Sequence, residues 1–395
     1  MQTLTITRLG HQGDGIADGP VYVPRTLPGE VVRWDGISAK IDTPSEARVS
    51  PVCRHAKSCG GCMLQHASDG FVAEWKRDVV QAALLARGLE WPLRDLHTSP
   101  PKSRRRATFS GRRTKSGAQI GFHALRSELL VPVTACEVIT PALANALPHL
   151  EPLVVATASR KGEVKLVLTE TDSGIDLDVR GGKPLDPLQI STLRFDGLAR
   201  LGQEGEPLAT WTVPRVQMGE AQVALPPGAF LQATREGEAA LLSGVLEAVA
   251  GVNQVADLFA GGGTFSLPLS AKAKVFAVEG AEELTSALAQ AARDLPGHHI
   301  STETRDLFRR PVPAAHLAGC DAVVIDPPRA GAEAQMREVA LARPAQVAMV
   351  SCNPVTFARD ATFLAEAGYV CRFIDVVDQF RWSPHVEVVA GFALP

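Results

Sequence analysis

The chain has 395 residues, of which 45% are hydrophobic and 21% charged, an ordinary composition for a globular protein with a sizeable core. No run of about 18 apolar residues occurs, which argues against a transmembrane helix, and the first residues lack the pattern of a secretory signal. The formal net charge of -3 argues weakly against a nucleic-acid binder, so a contact with RNA would depend on local charge.

Residues 1–50 are predicted to form a small β-barrel. Three apolar or β-branched runs, LTITRL, PVYVPR and EVVRW, are separated by glycines and a proline, which is the pattern of short strands joined by turns. Basic and acidic residues are balanced in this part of the chain. Its charge alone therefore does not indicate RNA binding.

A cysteine cluster opens the middle region, which we place at residues 51–215. The first three cysteines are separated by five and then two residues, and Gly60 and Gly61 let their loop wrap an ion or a cluster. A fourth cysteine lies much farther along the chain. The four are Cys53, Cys59, Cys62 and Cys136. In a reducing cytoplasm such a set indicates metal ligands rather than disulfides, and four thiolates suit zinc or an iron–sulfur cluster equally well.

A helix and a basic stretch follow the cysteine trio. Apolar residues at helical spacing predict a helix over about residues 70–87. From Pro100 to Arg126 the chain has eight Lys and Arg residues and no Asp or Glu. This stretch is either a solvated basic surface or one that contacts RNA phosphates. The runs EVKLVLTE and GIDLDVR predict further strands in the same region.

Residues 216–395 alternate predicted strands and helices. The apolar strands VADLF, KVFAVE, AVVI and VAMV alternate with helical segments such as EAALLSGVLEAVAG and TFARDATFLAEAG. This order predicts an α/β fold with a doubly wound, mostly parallel sheet. Such sheets bind their ligands beyond the carboxyl ends of the strands.

A glycine-rich turn and acidic residues lie at these predicted strand ends. Asp257 precedes the turn AGGG, and Glu279 ends the next strand, where a carboxylate can bind both hydroxyls of a ribose. Asp326 lies in the rigid turn DPPR. The dinucleotide pattern G-x-G-x-x-G is absent, so we predict a nucleoside-containing cofactor without a pyrophosphate. The alternative interpretation is a turn that only allows close packing, followed by an ordinary strand terminator.

A cysteine and a glutamate are candidate catalytic groups. Cys352 follows the strand VAMV, and Glu387 interrupts an apolar run, where an acid is costly unless it is paired or functional. His385 shares the face of Glu387, whereas Cys320 and Cys371 are expected core residues. A thiolate that adds to carbon-6 of uracil makes carbon-5 nucleophilic, and a base must later remove the carbon-5 proton. The alternative for Glu387 is a water-facing position on an edge strand.

Taken together, these motifs resemble those of the RNA 5-methyluridine methyltransferases, particularly the branch that acts on 23S ribosomal RNA. The segments GAFLQA, DLFAGGGTF, AVEG, IDPPRAG, SCNP and HVE stand in the order typical of that family. The segments ITRLGHQGDGIADG and VYVPRTLPGE resemble a TRAM domain, and the cysteine set resembles the family's four-iron cluster site. The resemblance extends over nearly the whole chain.

The resemblance implies a function and a set of functional residues. The substrate would be RNA, with 23S rRNA the expected one, and the methyl donor would be S-adenosylmethionine. Cys352 would be the nucleophile and Glu387 the base. The donor would contact Gln232, Phe259, Thr264, Glu279, Asp306 and Asp326. The four clustered cysteines, Cys53, Cys59, Cys62 and Cys136, would bind a 4Fe-4S cluster in a central α+β domain.

Several positions depart from the family pattern. The family usually has Cys at the position of Ala260, and Asn at the positions of Thr264 and Thr234. The family's F-P-x-T motif is also altered, and the substituted residues Arg381 and Trp382 are candidates for a contact with RNA. These departures put the contact of Thr264 and the sequence context of the target base in question.

Three other functions are considered. A transfer-RNA 5-methyluridine methyltransferase would use the same chemistry. An RNA 5-methylcytosine methyltransferase typically has a second cysteine where this chain has DPPR. A non-catalytic, RNA-binding iron–sulfur protein would lack the nucleophile and the base, both of which are present here. We expect a cytoplasmic location, no membrane contact and no obligate protein partner.

Overall fold

The computed structural model describes residues 1–395, and its strands form four sheets. The first is a small five-stranded antiparallel sheet with the strand order β3-β2-β1-β4-β5. Its strands are β1 (Gln2–Leu9), β2 (Gly15–Ala17), β3 (Val21–Val23), β4 (Val31–Trp34) and β5 (Ala39–Thr43). Leu4, Ile6 and Val32 are buried within it. This sheet is consistent with the small β-barrel predicted for residues 1–50.

Helix α1 (Asp69–Leu85) joins two parts of the molecule, and its bounds agree with the predicted helix within two residues. The Ser68 hydroxyl caps its first turn by accepting the main-chain N–H of Phe71 at 3.4 Å. Val72 packs near the cysteine loop, and Val80, about two helical turns later, packs in the core of the C-terminal sheet. After the helix, β6 (Leu96–Thr98) pairs with a strand of that same C-terminal sheet.

The middle of the chain forms a seven-stranded sheet covered by short helices. Its strand order is β13-β12-β11-β10-β7-β8-β9, and only β11 and β12 are parallel. The strands are β7 (Arg106–Arg113), β8 (Ala118–His123), β9 (Leu130–Pro132), β10 (Glu163–Thr171), β11 (Gly174–Arg180), β12 (Leu198–Gln203) and β13 (Glu206–Thr210). Helices α2 (Pro141–Ala146) and α3 (Glu151–Thr157) cover its core.

The C-terminal part contains an eight-stranded mixed sheet with the order β18-β17-β16-β19-β20-β22-β21-β6. Its remaining strands are β16 (Gln254–Leu258), β17 (Lys274–Glu279), β18 (Ile300–Thr304), β19 (Ala322–Ile325), β20 (Gln346–Ser351), β21 (Val370–Asp378) and β22 (Glu387–Ala393). A hairpin of β14 (Arg215–Met218) and β15 (Ala221–Ala224) precedes it. The five strands from β18 to β20 are parallel, and β22 is antiparallel to both of its neighbours.

Helices cover both faces of this sheet, and the strands are apolar throughout for that reason. Along β19, Val323 and Ile325 pack in one core, and Ala322 and Val324 pack in the other. The helices are α4 (Arg235–Ala248), α5 (Ser266–Leu269), α6 (Glu282–Arg293), α7 (Ala314–Leu317), α8 (Glu333–Ala342) and α9 (Pro354–Glu366). No helix of the chain combines the length and the apolar character that a membrane crossing requires.

Candidate active site and cysteine-lined cavity

Cys352 and Glu387 meet where β20 and β22 pair. The last pair of this antiparallel ladder is Ser351 with Val388, so Cys352 and Glu387 stand opposite each other one step further. Burial raises the pKa of Cys352 to about 11, and the negative charges of Glu387 and Asp326 contribute to the rise. Burial, with Asp326 again adding to it, raises the pKa of Glu387 to about 8. Both groups therefore favour their neutral forms at pH 7.

The start of α9 and an arginine counteract the rise in the Cys352 pKa. Asn353 caps the helix by accepting the N–H of Val355 at 3.1 Å, and it donates to the carbonyl of Arg329 at 2.9 Å. Cys352 thus lies beside a helix N-terminus, where partial positive charge favours an anion. The positive charge of Arg329 also acts to lower the pKa of this thiol.

Four side chains form a hydrogen-bonded row across the crevice. The Gln232 amide donates to Asp326 at 3.4 Å, and the Gln379 amide donates to Oε1 of Gln232 at 2.7 Å. The same Gln379 nitrogen donates to Oε2 of Glu387. Burial, followed by the charge of Asp257, raises the pKa of Asp326 to about 7. The row therefore connects the loop after β19 to the first residue of β22.

The turn after β16 is shaped to bring the backbone close to a ligand. Phe259 adopts φ +63°, a conformation that L residues rarely take. Gly263 has φ +104°, and a Cβ there would come within 2.6 Å of Leu288, so only glycine fits. Thr264 follows in the same turn and is half-buried. The carboxylate of Asp257, below the turn, accepts the Ser266 hydroxyl at 2.6 Å, while its other oxygen has no partner.

Glu279 ends β17 beside this turn. Its Oε2 accepts the N–H of Gly261 at 2.9 Å, and its Oε1 accepts the N–H groups of Gly280 and Ala281 at 2.7 and 2.9 Å. These bonds fix the carboxylate at the strand end. Asp306 lies two residues beyond β18, where it accepts the N–H groups of two following residues and so closes a local turn. The Asp306 carboxylate therefore already accepts hydrogen bonds from the main chain that follows it.

A cavity of about 840 Å³ joins Cys352 to the cysteine cluster. All four clustered cysteines line it, and so do Arg329, His385 and, from the N-terminal sheet, His11. The cavity is thus built by all three parts of the chain. Cys320 and Cys371 are not among its lining residues and are half-buried elsewhere, which agrees with their predicted structural roles.

Main-chain N–H groups point at the sulfur atoms of the cluster. Cys53 Sγ accepts from His55 at 3.4 Å, and Cys59 Sγ accepts from Gly61 at 3.3 Å. Gly60 has no room for a Cβ, which would lie 2.9 Å from the carbonyl oxygen of His123. The cysteine loop therefore packs directly on the turn after β8. No three of the four sulfur atoms lie within 4.8 Å of one another.

Comparisons with known proteins agree with this architecture. The family model described as tRNA (Uracil-5-)-methyltransferase matches residues 298–393. An uncharacterized RNA methyltransferase of Rhizobium meliloti is 42% identical, with 98% of each chain covered. The 23S rRNA (uracil(1939)-C(5))-methyltransferase RlmD of Halomonas elongata is 35% identical, with 97% of this chain and 88% of that protein covered.

The chain belongs to the RNA (uracil-5-)-methyltransferase family. The family and the enzyme class predicted from the sequence, an S-adenosylmethionine-dependent RNA methyltransferase, are thereby confirmed. The crystal structure of the Pyrococcus abyssi tRNA (uracil-54, C5)-methyltransferase in complex with S-adenosyl-L-homocysteine has the same overall fold. Its TM-score is 0.79 at 22% identity, with 99% of each chain covered.

The basic stretch of this methyltransferase is less free for RNA than its sequence indicates. Four of its eight cations form ion pairs with acids from other segments. These pairs are Lys102–Glu137, Arg105–Glu238, Arg112–Glu163 and Arg126–Asp14. Arg105 is only 2% exposed. It also donates to the main-chain carbonyl of Gln232 and so helps to fix the position of this residue in the hydrogen-bonded row. Arg113 and Lys115, in the β7–β8 hairpin, stay exposed.

Arg381 and Trp382 are also engaged inside the methyltransferase. Arg381 pairs with Asp69 of α1, and the Trp382 indole N–H donates to the same carboxylate at 3.1 Å. Trp382 is 6% exposed, and its carbonyl accepts the N–H of Leu64 at 2.9 Å. The departure from F-P-x-T therefore makes a contact within the protein, rather than the RNA contact expected of these residues.

Sequence reasoning missed Gln379 and Arg329. Gln379 directly follows β21, and Arg329 ends the DPPR turn. Their position after strands was a usable signal, since this sheet binds ligands beyond strand ends. A polar residue that directly follows an apolar strand, as Gln379 does, is therefore a candidate even when no family motif includes it.

Proposed function

We propose that this methyltransferase modifies carbon-5 of a uridine through a covalent adduct with Cys352. The observation that carries the proposal is the convergence of Cys352, Glu387 and Asp326 at one edge of the sheet, where Asp326 raises the pKa of Glu387 and both acids raise the pKa of Cys352. A structural role would not explain why a thiol and two acids share a crevice at such a cost in desolvation.

The proposed chemistry uses each group once. The Cys352 thiolate adds to carbon-6 of the uracil, and the electron pair moves to carbon-5 and the carbon-4 oxygen. S-adenosylmethionine supplies the electrophilic methyl group when it is bound. Glu387 then removes the proton from carbon-5, the carbon-6–sulfur bond breaks, and the electron pair returns to Cys352. Arg329 and the N-terminus of α9 favour the thiolate at both ends of this cycle.

The residues proposed to hold the methyl donor surround the turn after β16. Glu279 would bind the ribose hydroxyls, because its carboxylate is already fixed by three main-chain N–H groups. Phe259, Thr264 and Asp306 would line the adenosine side, and Gln232 and Asp326 the methionine side. The unpartnered oxygen of the buried Asp257 supports a polar ligand at this turn.

We propose that the four clustered cysteines hold a 4Fe-4S cluster. A single tetrahedral zinc ion, with Zn–S bonds of about 2.3 Å, would need sulfur atoms roughly 3.8 Å apart. A polynuclear cluster holds its ligand sulfurs farther apart, and the resemblance of this cysteine set to the family's four-iron site favours such a cluster. Main-chain N–H groups that point at Cys53 and Cys59 are suited to thiolate ligands. Here the cluster would brace the wall of the RNA cavity, and no catalytic step requires it.

The proposed substrate is 23S rRNA in the cytoplasm. The relative that is 35% identical over nearly the full chain is named for that substrate. The cavity of about 840 Å³ has room for an extruded nucleotide beside Cys352, and Arg329 and His385 also line it. The proposed division of the chain remains 1–50, 51–215 and 216–395, with β6 crossing from the middle region into the catalytic sheet.

The test is mass spectrometry of rRNA and tRNA fragments from cells with and without this gene, complemented by wild type or Cys352→Ala. Loss of one methyl group at a uridine in 23S rRNA, restored only by wild type, is the expected result. Loss of a methyl group at a tRNA uridine would agree with the proposed reaction but would contradict 23S rRNA as the substrate. Restoration by Cys352→Ala would overturn the covalent mechanism.

A further inference from the structure

The side-chain amide of Gln379 lies between the two halves of the crevice. Gln379 is 1% exposed. Its nitrogen donates to Gln232 at 2.7 Å and to Glu387, and its oxygen accepts the main-chain N–H of Thr234 at 3.3 Å. A primary amide has two N–H donors, so both are used. Both donors of the side chain are therefore used within the protein, and one of them faces a proposed catalytic group.

The orientation of this amide follows from hydrogen-bond logic. A main-chain N–H can only donate, so the Thr234 N–H fixes the Gln379 oxygen on its own side. The nitrogen of Gln379 must then face Gln232 and Glu387. Because the Gln232 oxygen accepts from Gln379, the Gln232 nitrogen must face Asp326. The main-chain N–H of Thr234 thus determines the orientation of the Gln379 amide and, through it, the orientation of the Gln232 amide.

The position of Gln379 is held from several sides. Gly237, in the first turn of α4, packs so closely that a Cβ there would lie 2.6 Å from the Cβ of Gln379. The neighbouring Asp378 forms a fully buried ion pair with Lys76 at 2.5 Å, and the same Lys76 donates to the carbonyl of Phe380 at 3.2 Å. The main chain on both sides of Gln379 is therefore anchored to α1.

We propose that Gln379 is a positioning residue of the methyl transfer, which holds the Glu387 carboxylate with one N–H and aims the amide of Gln232 at Asp326 with the other. The inference rests on the proposed function, because that function gives Glu387 the role of base. It adds a hydrogen-bonded connection between the residues proposed to bind the methyl donor and the residue proposed to be the base.

The link has a measurable consequence for the titration of Glu387. The titratable groups beside Glu387 are Asp326, after β19, whose charge disfavours the Glu387 carboxylate, and Cys352, after β20, which is neutral over the pH range in which Glu387 titrates. The N–H of Gln379 is the contact that favours the carboxylate. Because a hydrogen bond to a charged group stabilises the charged form, its loss should raise the pKa of Glu387 by roughly one to two units.

The experiment is an infrared pH titration of the full-length enzyme without RNA. The carbonyl band of protonated Glu387 is assigned by its disappearance in Glu387→Gln. Gln379→Met keeps the length of the side chain and removes its donors, and we expect the band to persist to a pH roughly one to two units higher than in wild type. Gln379→Asn shortens the side chain by one methylene and should shift the midpoint of the band in the same direction. This variant provides the test if Gln379→Met does not fold.

The matched control is Gln203→Met in the middle sheet. The Gln203 amide also makes two hydrogen bonds, with the main chain of Lys183 and Leu185 at 2.9 Å each, but it lies outside the crevice. Its replacement should leave the Glu387 midpoint unchanged. An unchanged midpoint in the Gln379 variants would overturn the inference while leaving the proposed function intact. The proposed function fails instead if Glu387→Gln turns over like wild type.

Discussion

Cys352 and Glu387 face each other one step beyond the last pair of the β20–β22 ladder. Residues that are directly opposite in an antiparallel ladder have Cα atoms about 4.5–5.5 Å apart and side chains on the same face. Each acid of the crevice makes ionisation of its neighbours harder, since Glu387 raises the pKa of Cys352 and Asp326 raises the pKa of Glu387. At pH 7 the resting site therefore holds Glu387 and Cys352 mainly in neutral form, beside an Asp326 that is partly ionised.

Replacing the nucleophile should separate turnover from donor binding. We expect Cys352→Ala to lower methyl transfer by at least about a thousandfold, because no other group can form the bond to carbon-6. Binding of S-adenosyl-L-homocysteine, measured by calorimetry, should stay within about threefold of wild type. Cys320→Ala is the control. Cys320 precedes β19, whereas Cys352 follows β20, so the two cysteines lie at opposite edges of the parallel part of the sheet. Equal losses in both variants would contradict a specific role for Cys352.

The raised pKa of Glu387 predicts a stability difference that depends on pH. Burial favours the protonated form, so the folded state binds a proton between the unfolded pKa near 4.5 and the folded pKa of about 8. The stabilisation from this proton is complete below about pH 4.5 and is lost as pH rises through 8. Glu387→Gln removes the titration and keeps the shape.

Thermal denaturation of the two proteins tests this difference. We expect wild type and Glu387→Gln to melt at similar temperatures at pH 5, with the variant more stable by several degrees at pH 9. Asp257, whose pKa is about 7, titrates in both proteins and cancels in the comparison, whereas the charge of Asp326 acts on Glu387 and adds to the loss of stability of wild type above pH 7. If the melting temperature of wild type instead rises relative to that of the variant as pH increases, the raised pKa of Glu387 is contradicted.

The buried pair of Lys76 and Asp378 should be essential to folding stability. Lys76→Met leaves Asp378 without its counter-ion at 1% exposure, which should cost about 3–5 kcal/mol of unfolding free energy. Adding Asp378→Asn to this variant should recover a large part of the loss. Lys102→Met is the matched control, because Lys102 pairs with Glu137 at the surface and should cost about 0–1 kcal/mol. Denaturant unfolding curves of the four proteins measure these values.

Metal analysis distinguishes the two clusters that four thiolates can hold. We expect anaerobically purified protein to contain about four iron and four sulfide per chain, and Cys59→Ser to lose most of both. Cys371→Ser, a half-buried cysteine outside the cavity, should keep its iron and serves as the control. One zinc per chain and no iron would contradict the cluster, although it would leave the methyl transfer unaffected.

The strand ends of the C-terminal sheet could be predicted from the sequence because their signals are local. A strand end is marked by the residues on either side of it, and Asp257, Glu279, Asp326 and Cys352 all lie at or just beyond strand ends in the structure. Glu387, predicted within a final strand, is its first residue. The apolar runs of a sheet covered on both faces are likewise visible without any knowledge of tertiary contacts.

The remaining features depend on partners that are distant in sequence. Arg105 pairs with Glu238, and Arg381 pairs with Asp69, over more than a hundred residues in each case. No periodicity or spacing rule could show that these cations are already neutralised. The same holds for β6, a three-residue strand that joins a sheet formed almost entirely by later parts of the chain.

The most direct test of the account is to trap the covalent intermediate. Glu387→Gln would be incubated with S-adenosylmethionine and total RNA from cells that lack the gene, since this RNA contains the unmodified target. We predict an RNA adduct that survives denaturing electrophoresis, maps by peptide mass spectrometry to Cys352, and is absent from the Cys352→Ala/Glu387→Gln double variant. An adduct on another residue, or none from a variant that still binds RNA and donor while wild type turns over, would contradict the mechanism.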